Sequence, residues 1–73
     1  MQLVSDNEIA AAILRVLDSD PLLPRHSVRV TVQSGWIVLV GEVLRPVQRW
    51  AAEADARRLP GVAGVDNRIV VRG

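Results

Sequence analysis

The stretch Gln33-Ser34-Gly35-Trp36-Ile37-Val38-Leu39-Val40-Gly41-Glu42-Val43 decides the fold. Ser34-Gly35 reads as a two-residue hairpin loop, because glycine supplies the positive φ that such a turn requires. The strand after it, about Trp36 to Val43, alternates, so odd and even positions face opposite sides of a sheet. Its core face is predicted as Ile37, Leu39 and Val43. Gly41 shares that face, where a helix can approach closely or the strand can bulge. Working back from the turn, Val28, Val30 and Val32 alternate with Arg29, Thr31 and Gln33, the pattern of a half-buried partner strand.

Further upstream, Ser5-Asp6-Asn7-Glu8 has the spacing of a capping box, with Ser5 as N-cap and Glu8 at N3. Val4 and Ile9 stand at the positions of a hydrophobic staple. Ile9, Ala12, Ile13, Val16 and Leu17 repeat at helical spacing and predict one buried stripe. Ser19-Asp20-Pro21 stops that helix, since the residue before proline avoids the helical region. Leu22 or Leu23, in the stiff connection Pro21–Pro24, is expected to plug the end of the core.

Downstream, Pro46 suits the first position of a second helix. Its inner face is read as Val47, Trp50, Ala51 and Ala54, with Trp50 as a core residue. Arg57 and Arg58 favour the negative end of its dipole, and Leu59-Pro60-Gly61 ends it. A last strand of about Val65 to Arg72 places Val65, Asn67, Ile69 and Val71 on one face. The crossover from the second strand through the helix to the third is expected to be right-handed and parallel. The chain is therefore predicted as one α+β domain over residues 1–73, core about 5–72. It is an αββαβ two-layer sandwich with two helices packed on one face of a three-stranded mixed sheet. Whether the third strand lies beside the second or the first is left open by the pattern.

Seventy-three residues bury only about 60% of their unfolded surface, so a partner or neighbouring domain would help such a chain. There is no cysteine, hence no disulfide and no thiolate metal site. Every Lys-or-Arg position is Arg, nine against eight acids, and the net charge of +1 is too balanced for a nonspecific nucleic-acid binder. No apolar run reaches the length of a membrane span. The start, Met1 to Asp6, lacks the basic and apolar parts of a signal peptide. With Met1 as the native start a cytoplasmic product is expected; a fragment of a longer protein would instead point to the periplasm or envelope.

With these residues in place the chain resembles a BON domain, the module named for bacterial osmotic-stress (OsmY-like) and nodulation proteins. The resemblance is carried by Asp20-Pro21, the Val28/Val30/Val32 strand and Ser34-Gly35-x-Ile37-x-Leu39-x-Gly41-x-Val43. It continues through Arg49-Trp50-Ala51-Ala52-Glu53 and Gly61-Val62-x-x-Val65-x-Asn67-x-Ile69. It implies a non-enzymatic module that binds phospholipid surfaces, other proteins or small ligands, in transport-associated or stress-response settings. Two departures stand out. The outer positions of strand two are Trp36, Val38 and Val40 where polar residues are usual, and Leu44-Arg45-Pro46 precedes helix two where a capping Ser, Thr or Asp is frequent. The family assigns no universal binding residues, so none are transferred.

The outer sheet face is the leading candidate site. Alternation gathers Trp36, Val38, Val40 and Val70 there, rimmed by Arg29, Arg68 and Arg72. A contiguous exposed apolar patch marks contact with a partner, a membrane or a second copy. The plainer reading is strand propensity with a few tolerated surface aliphatics. A second candidate is an anion site at the start of helix two. Arg45 and Arg49 crowd the positive end of its dipole, and free backbone N–H groups point there; solvated arginines balanced by Glu42 and Glu53 are the simpler account. Gly61-Val62-Ala63-Gly64 has the G-x-x-G form of the RNA-clamping loop of KH domains but lacks its basic residues and joins a helix to a strand. Gly61 more simply ends the helix. His26 has no orienting acid, and Asp18 with Asp20 would make only a weak hard-cation site. The reading is thus a non-catalytic BON-type module with no cofactor, docking on phospholipid or protein, with a homodimer through the open sheet face. The alternative is a structural self-association or regulatory domain of a larger protein, and RNA binding by KH analogy ranks last.

Overall fold

The computed structural model describes residues 4–73. The stretch Met1 to Leu3, part of the segment read for targeting signals, lies outside the described residues. Five elements follow in order: α1 (Asp6–Ser19), β1 (Val28–Gln33), β2 (Trp36–Val43), α2 (Pro46–Arg57) and β3 (Gly64–Val71). The sheet runs β1-β2-β3. β1 pairs antiparallel to β2, with Val32 opposite Ile37 and Val28 opposite Gly41. β3 pairs parallel to β2, with Ile37 opposite Val65 and Gly41 opposite Ile69. The strand order left open by the sequence is thus resolved: β2 is central.

The parity of β2 falls as the alternation predicts. Ile37, Leu39 and Val43 are buried, and with Ile9, Ile13 and Leu17 of α1, Ala52 and Ala56 of α2 and Ile69 of β3 they form one core. α1 lies over β1, α2 over β2 and β3, and the two helices touch. At Gly41 the close approach comes from neither a helix nor a bulge. The carbonyl of Ser27, just before β1, occupies the space a side chain would need.

α1 is capped as its sequence requires: Ser5 Oγ accepts from the Glu8 N–H at 3.1 Å. Asp20 N–H donates to the Leu17 carbonyl at the other end, and Asp20 Oδ1 accepts from Leu22 N–H at 2.9 Å. Leu23, not Leu22, fills the end of the core. Asp6 does more than favour the helix dipole. Its carboxylate accepts from the N–H groups of Ser34 at 2.8 Å and Gly35 at 2.9 Å, fastening α1 to the hairpin turn. Both turn residues have positive φ, 50° at Ser34 and 80° at Gly35. The left-handed conformation is costly for serine, and the two bonds from Asp6 help hold it there.

α2 departs from the expected face. Its buried residues are Ala51, Ala52, Asp55 and Ala56. Trp50 is 68% exposed and Val47 45% exposed, so neither belongs to the core. The helix is turned so that alanines meet the sheet, because large strand residues such as Ile37, Leu39 and Ile69 already fill the layer between. Its start lacks a Ser, Thr or Asp cap, but Gln48 reaches back. Gln48 Oε1 accepts from Leu44 and Arg45 N–H at 3.0 and 2.9 Å, the return half of a capping box.

Candidate functional site

The outer sheet face has no helix over it. Trp36 is 53% exposed, Val70 50% and Val40 45%, while Val38 is half-buried between them. Trp36 stands opposite Gly64 on β3, and its ring lies where a Gly64 side chain would project. The glycine thus gives the indole a flat bed, which explains how a large aromatic on an open face keeps about half its surface from water. Register places Val38 beside Thr31 and Asp66, and Val40 beside Arg29 and Arg68. Arg68 pairs with Asp66 at 2.9 Å, and Arg72 pairs with Glu42. The residues collected by sequence alternation therefore do share one surface, but acids interleave its arginines.

The two arginines proposed as an anion site differ in role. Arg45 is the N-cap residue of α2. Arg49 Nε donates to the Ile69 carbonyl and its Nη2 to the Asn67 carbonyl, both at 3.2 Å. Asn67 completes the seam: its Oδ1 accepts from Ile69 N–H at 3.1 Å, and its Nδ2 donates to the Arg49 carbonyl at 3.0 Å and to Glu53 Oε1 at 3.3 Å. Arg49 thus already has partners within the chain, on the free edge of β3. Glu53, bonded by Arg57 and Asn67, has its pKa lowered. In the G-x-x-G segment, Gly61 has φ of 85° but lies three residues beyond Arg58, the C-cap of α2, so it shapes the turn after Pro60 instead of ending the helix as expected, and Val4 packs against it. His26 also has positive φ, 61°, in the loop before β1.

A further cluster was not visible in the sequence. Asp55, 9% exposed, sits in the alanine stripe of α2. Its Oδ2 is buried and receives no hydrogen bond from the described residues. Burial, and then the neighbouring Asp20 carboxyl, push the Asp55 carboxyl up to about 7, against the opposing pull of Arg58. Asp20 is held below its ordinary value, chiefly by its interaction with the neighbouring Asp55 carboxyl and also by the Leu22 N–H. The pair opens into a groove of about 510 Å³ between the end of α1 and α2, with Arg15, Trp50 and Arg58 in its walls. An acid at a position of the i, i+1, i+4, i+5 alanine stripe was the available signal; reading Trp50 as core turned the helix and hid it. Asp18 does not join this cluster, and among the described residues no group of three or more His, Cys, Asp or Glu side chains gathers to hold a metal ion.

The comparisons with known proteins agree with this architecture. The family model described as BON domain matches residues 5–73. The C-terminal domain of CdsD, the structural protein of the type III secretion system of Chlamydia trachomatis, superposes with a TM-score of 0.81 at 16% identity, covering 99% of this chain and 36% of that one. At that identity the likeness is one of fold, and this chain spans about a third of the length of the solved chain. No curated protein matches the sequence.

Proposed function

The chain belongs to the BON domain family, and from that premise we infer that it is a docking module, not an enzyme, whose outer sheet face receives another protein surface. The observation that carries this reading is the uncovered strip of Trp36, Val38, Val40 and Val70. Each large side chain fully buried there contributes about 1.5–3 kcal/mol. The mixed charge of the face favours a protein over an anionic lipid. Arg29, Arg68 and Arg72 against Glu42 and Asp66 leave three minus two, a single positive charge, whereas lipid attraction gains only about 1 kcal/mol per basic residue. The fold shared with a domain of a secretion-system structural protein supports a role in contact. A phospholipid surface is the second reading, favoured by an exposed indole beside arginines.

Three strands spaced about 4.8 Å apart, with residues about 3.3 Å apart along them, present roughly 400 Å² of sheet. That is about half of the ~800 Å² per partner in a standard interface. Self-association through this face is therefore weak, and the test is light scattering over a wide concentration range beside flotation with anionic liposomes. Mass rising with concentration, and abolished by Trp36→Lys without loss of the folded spectrum, is the expected result. Co-flotation at low salt, lost in the same variant, would transfer the role to lipid. A chain that stays monomeric at every concentration and does not float would remove self-association and lipid and leave a different protein as the partner, whereas a Trp36→Lys variant that unfolds would overturn the assignment of this face.

A further inference from the structure

The helical layer carries a second apolar strip, on the side of the sandwich opposite the open sheet face. Leu44 and Val47 lead into Trp50 at steps of three residues around the start of α2. Gln48 draws Leu22 alongside: its Nε2 donates to the Leu22 carbonyl at 3.0 Å while its Oε1 holds the Leu44 N–H. All four apolar side chains are exposed, Leu44 at 70% and Trp50 at 68%. At about 100° per residue, Trp50 projects almost opposite the arc of Ala51, Ala52, Asp55 and Ala56 that is buried. The chain has no Phe or Tyr, and its two Trp, Trp36 and Trp50, stand on opposite outer faces. Each keeps more than half of its surface in water.

Taking the outer sheet face as a docking surface, we propose that its occupant is a second copy of this chain, which presents the strip of Leu22, Leu44, Val47 and Trp50, so that copies join head to tail. A sheet accepts helices on both faces, and here α1 and α2 cover one face only; the helical layer of the next copy supplies the missing cover. The sizes agree. Helices of 14 and 12 residues are about 18–21 Å long and about 10 Å across, so the pair presents roughly 400 Å², as much as the three strands offer. A copy held on both sides buries about 800 Å², what one partner contributes to a standard interface. Sheet-to-sheet pairing would bury half of that and leave Trp50 in water. Charge does not oppose the contact. Arg15 and Arg58 beside the strip are balanced by Asp20 and Asp55, and the sheet face carries a single net positive charge. Because the two surfaces differ, the contact is heterologous: every assembly short of a closed one keeps a free sheet face at one end and a free strip at the other. Growth therefore does not stop at two copies.

The test is sedimentation velocity on the full chain, on Trp36→Lys, on Trp50→Lys and on an equimolar mixture of the two variants, each first shown to be folded by circular dichroism. The parent is expected to rise in mass past the dimer as concentration increases. Trp36→Lys lacks a working sheet face and Trp50→Lys a working strip, so each should stay monomeric alone. Mixed, the intact strip of the first meets the intact sheet face of the second, and the mass should double and go no further. Each variant keeps one indole, whose emission should move to the blue in the mixture. A Trp50→Lys chain that still pairs as the parent does would overturn the head-to-tail contact and leave the sheet face docking on itself. A folded mixture that stays monomeric where the parent assembles would overturn it too. A parent that is monomeric throughout would also overturn it, yet leave the sheet face open to a different protein. A Trp36→Lys chain that unfolds removes the sheet face and this contact with it. Should Trp50→Lys fail to fold, Val47→Lys, at an exposed position of the same strip, takes its place under the same outcomes.

Discussion

Replacing Gly41 by alanine strikes the fold where β1 begins. A Cβ there would overlap the Ser27 carbonyl oxygen, with the Ser27 carbonyl carbon at 3.3 Å and Val28 Cα at 3.2 Å. All three atoms are backbone, so no rotamer change relieves the overlap. The escape is to spread the Val28–Gly41 pair that ends the hairpin ladder, which pulls the buried Val28 from the core. Overpacking costs about 1–3 kcal/mol, and a rigid obstacle puts Gly41→Ala near the upper end. A chain of 73 residues has roughly 4–11 kcal/mol of stability in all, so about 3 kcal/mol is a large share. At about 4–8 °C per kcal/mol, the melting temperature should fall by about 12–24 °C. Gly64→Ala is the internal contrast. Its new Cβ meets atoms of the Trp36 ring, the next nearest at 2.5 and 2.8 Å, and a side chain can swing away. That variant should lose about 1 kcal/mol or less, with tryptophan emission shifting as the indole leaves its bed. Circular dichroism during heating and in urea measures both. A Gly41→Ala protein within about 0.5 kcal/mol of the parent, or a Gly64→Ala protein more damaged than it, would refute the account of the two glycines.

Asp6→Ala removes two hydrogen bonds to the hairpin turn and leaves Ser34 unsupported at positive φ; a loss of about 1–3 kcal/mol is expected in the urea midpoint, and no change would remove the clamp from the account. The pH profile of stability follows from the shifted acids. Asp55, raised from 3.8 to about 7, stabilises most when protonated, so its contribution fades as pH rises from about 4 through 7. At about 1.4 kcal/mol per pH unit, that fall is on the order of a few kcal/mol. Asp20 and Glu53 are lowered, so their contributions are present above their ordinary values of 3.8 and 4.5 and fade on acidification. Stability should therefore peak near the upper end of the carboxylate range and decline toward neutrality, and Asp55→Asn should flatten the neutral limb. Urea midpoints that rise steadily from mildly acidic to mildly alkaline pH in the parent chain would refute the assignment.

How much of this was legible in the sequence differs by element. β2 could be read residue by residue because a tight turn fixes its start and Ile37, Leu39 and Val43 mark one face against Trp36, Val40 and Glu42 on the other. α2 could not, because hydrophobicity gives Val47 and Trp50 more weight than alanine, whereas a helix lying close on a sheet of large residues needs small ones. That mistaken rotation also concealed Asp55. The remaining gaps are contacts between positions far apart in the chain, such as Asp6 with Ser34, 28 residues on, and Arg49 with Asn67, 18 residues on. No local pattern encodes such pairings; they exist only once the layers have docked. The order β1-β2-β3 is of the same kind, since alternation defines the faces of β3 but not its neighbour.

The polar seam on β3 bears on how this module meets a partner. β3 is an edge strand, and an edge with free carbonyl and N–H groups invites another strand to pair with it. Here Arg49 takes the outward carbonyls of Asn67 and Ile69, and the Asn67 side chain takes the Ile69 N–H. The middle of that edge is thus satisfied from within the chain. At the other edge, β1 carries Arg29, and a charge on an edge strand discourages sheet extension. With edge pairing disfavoured on both sides, what the sheet has left to offer is its outer face. On the proposed reading, the exposed side chains there, led by Trp36 on its bed of Gly64, would set affinity and specificity. Replacing those side chains should therefore change partner choice with little effect on the fold, while the seam keeps the sheet at three strands.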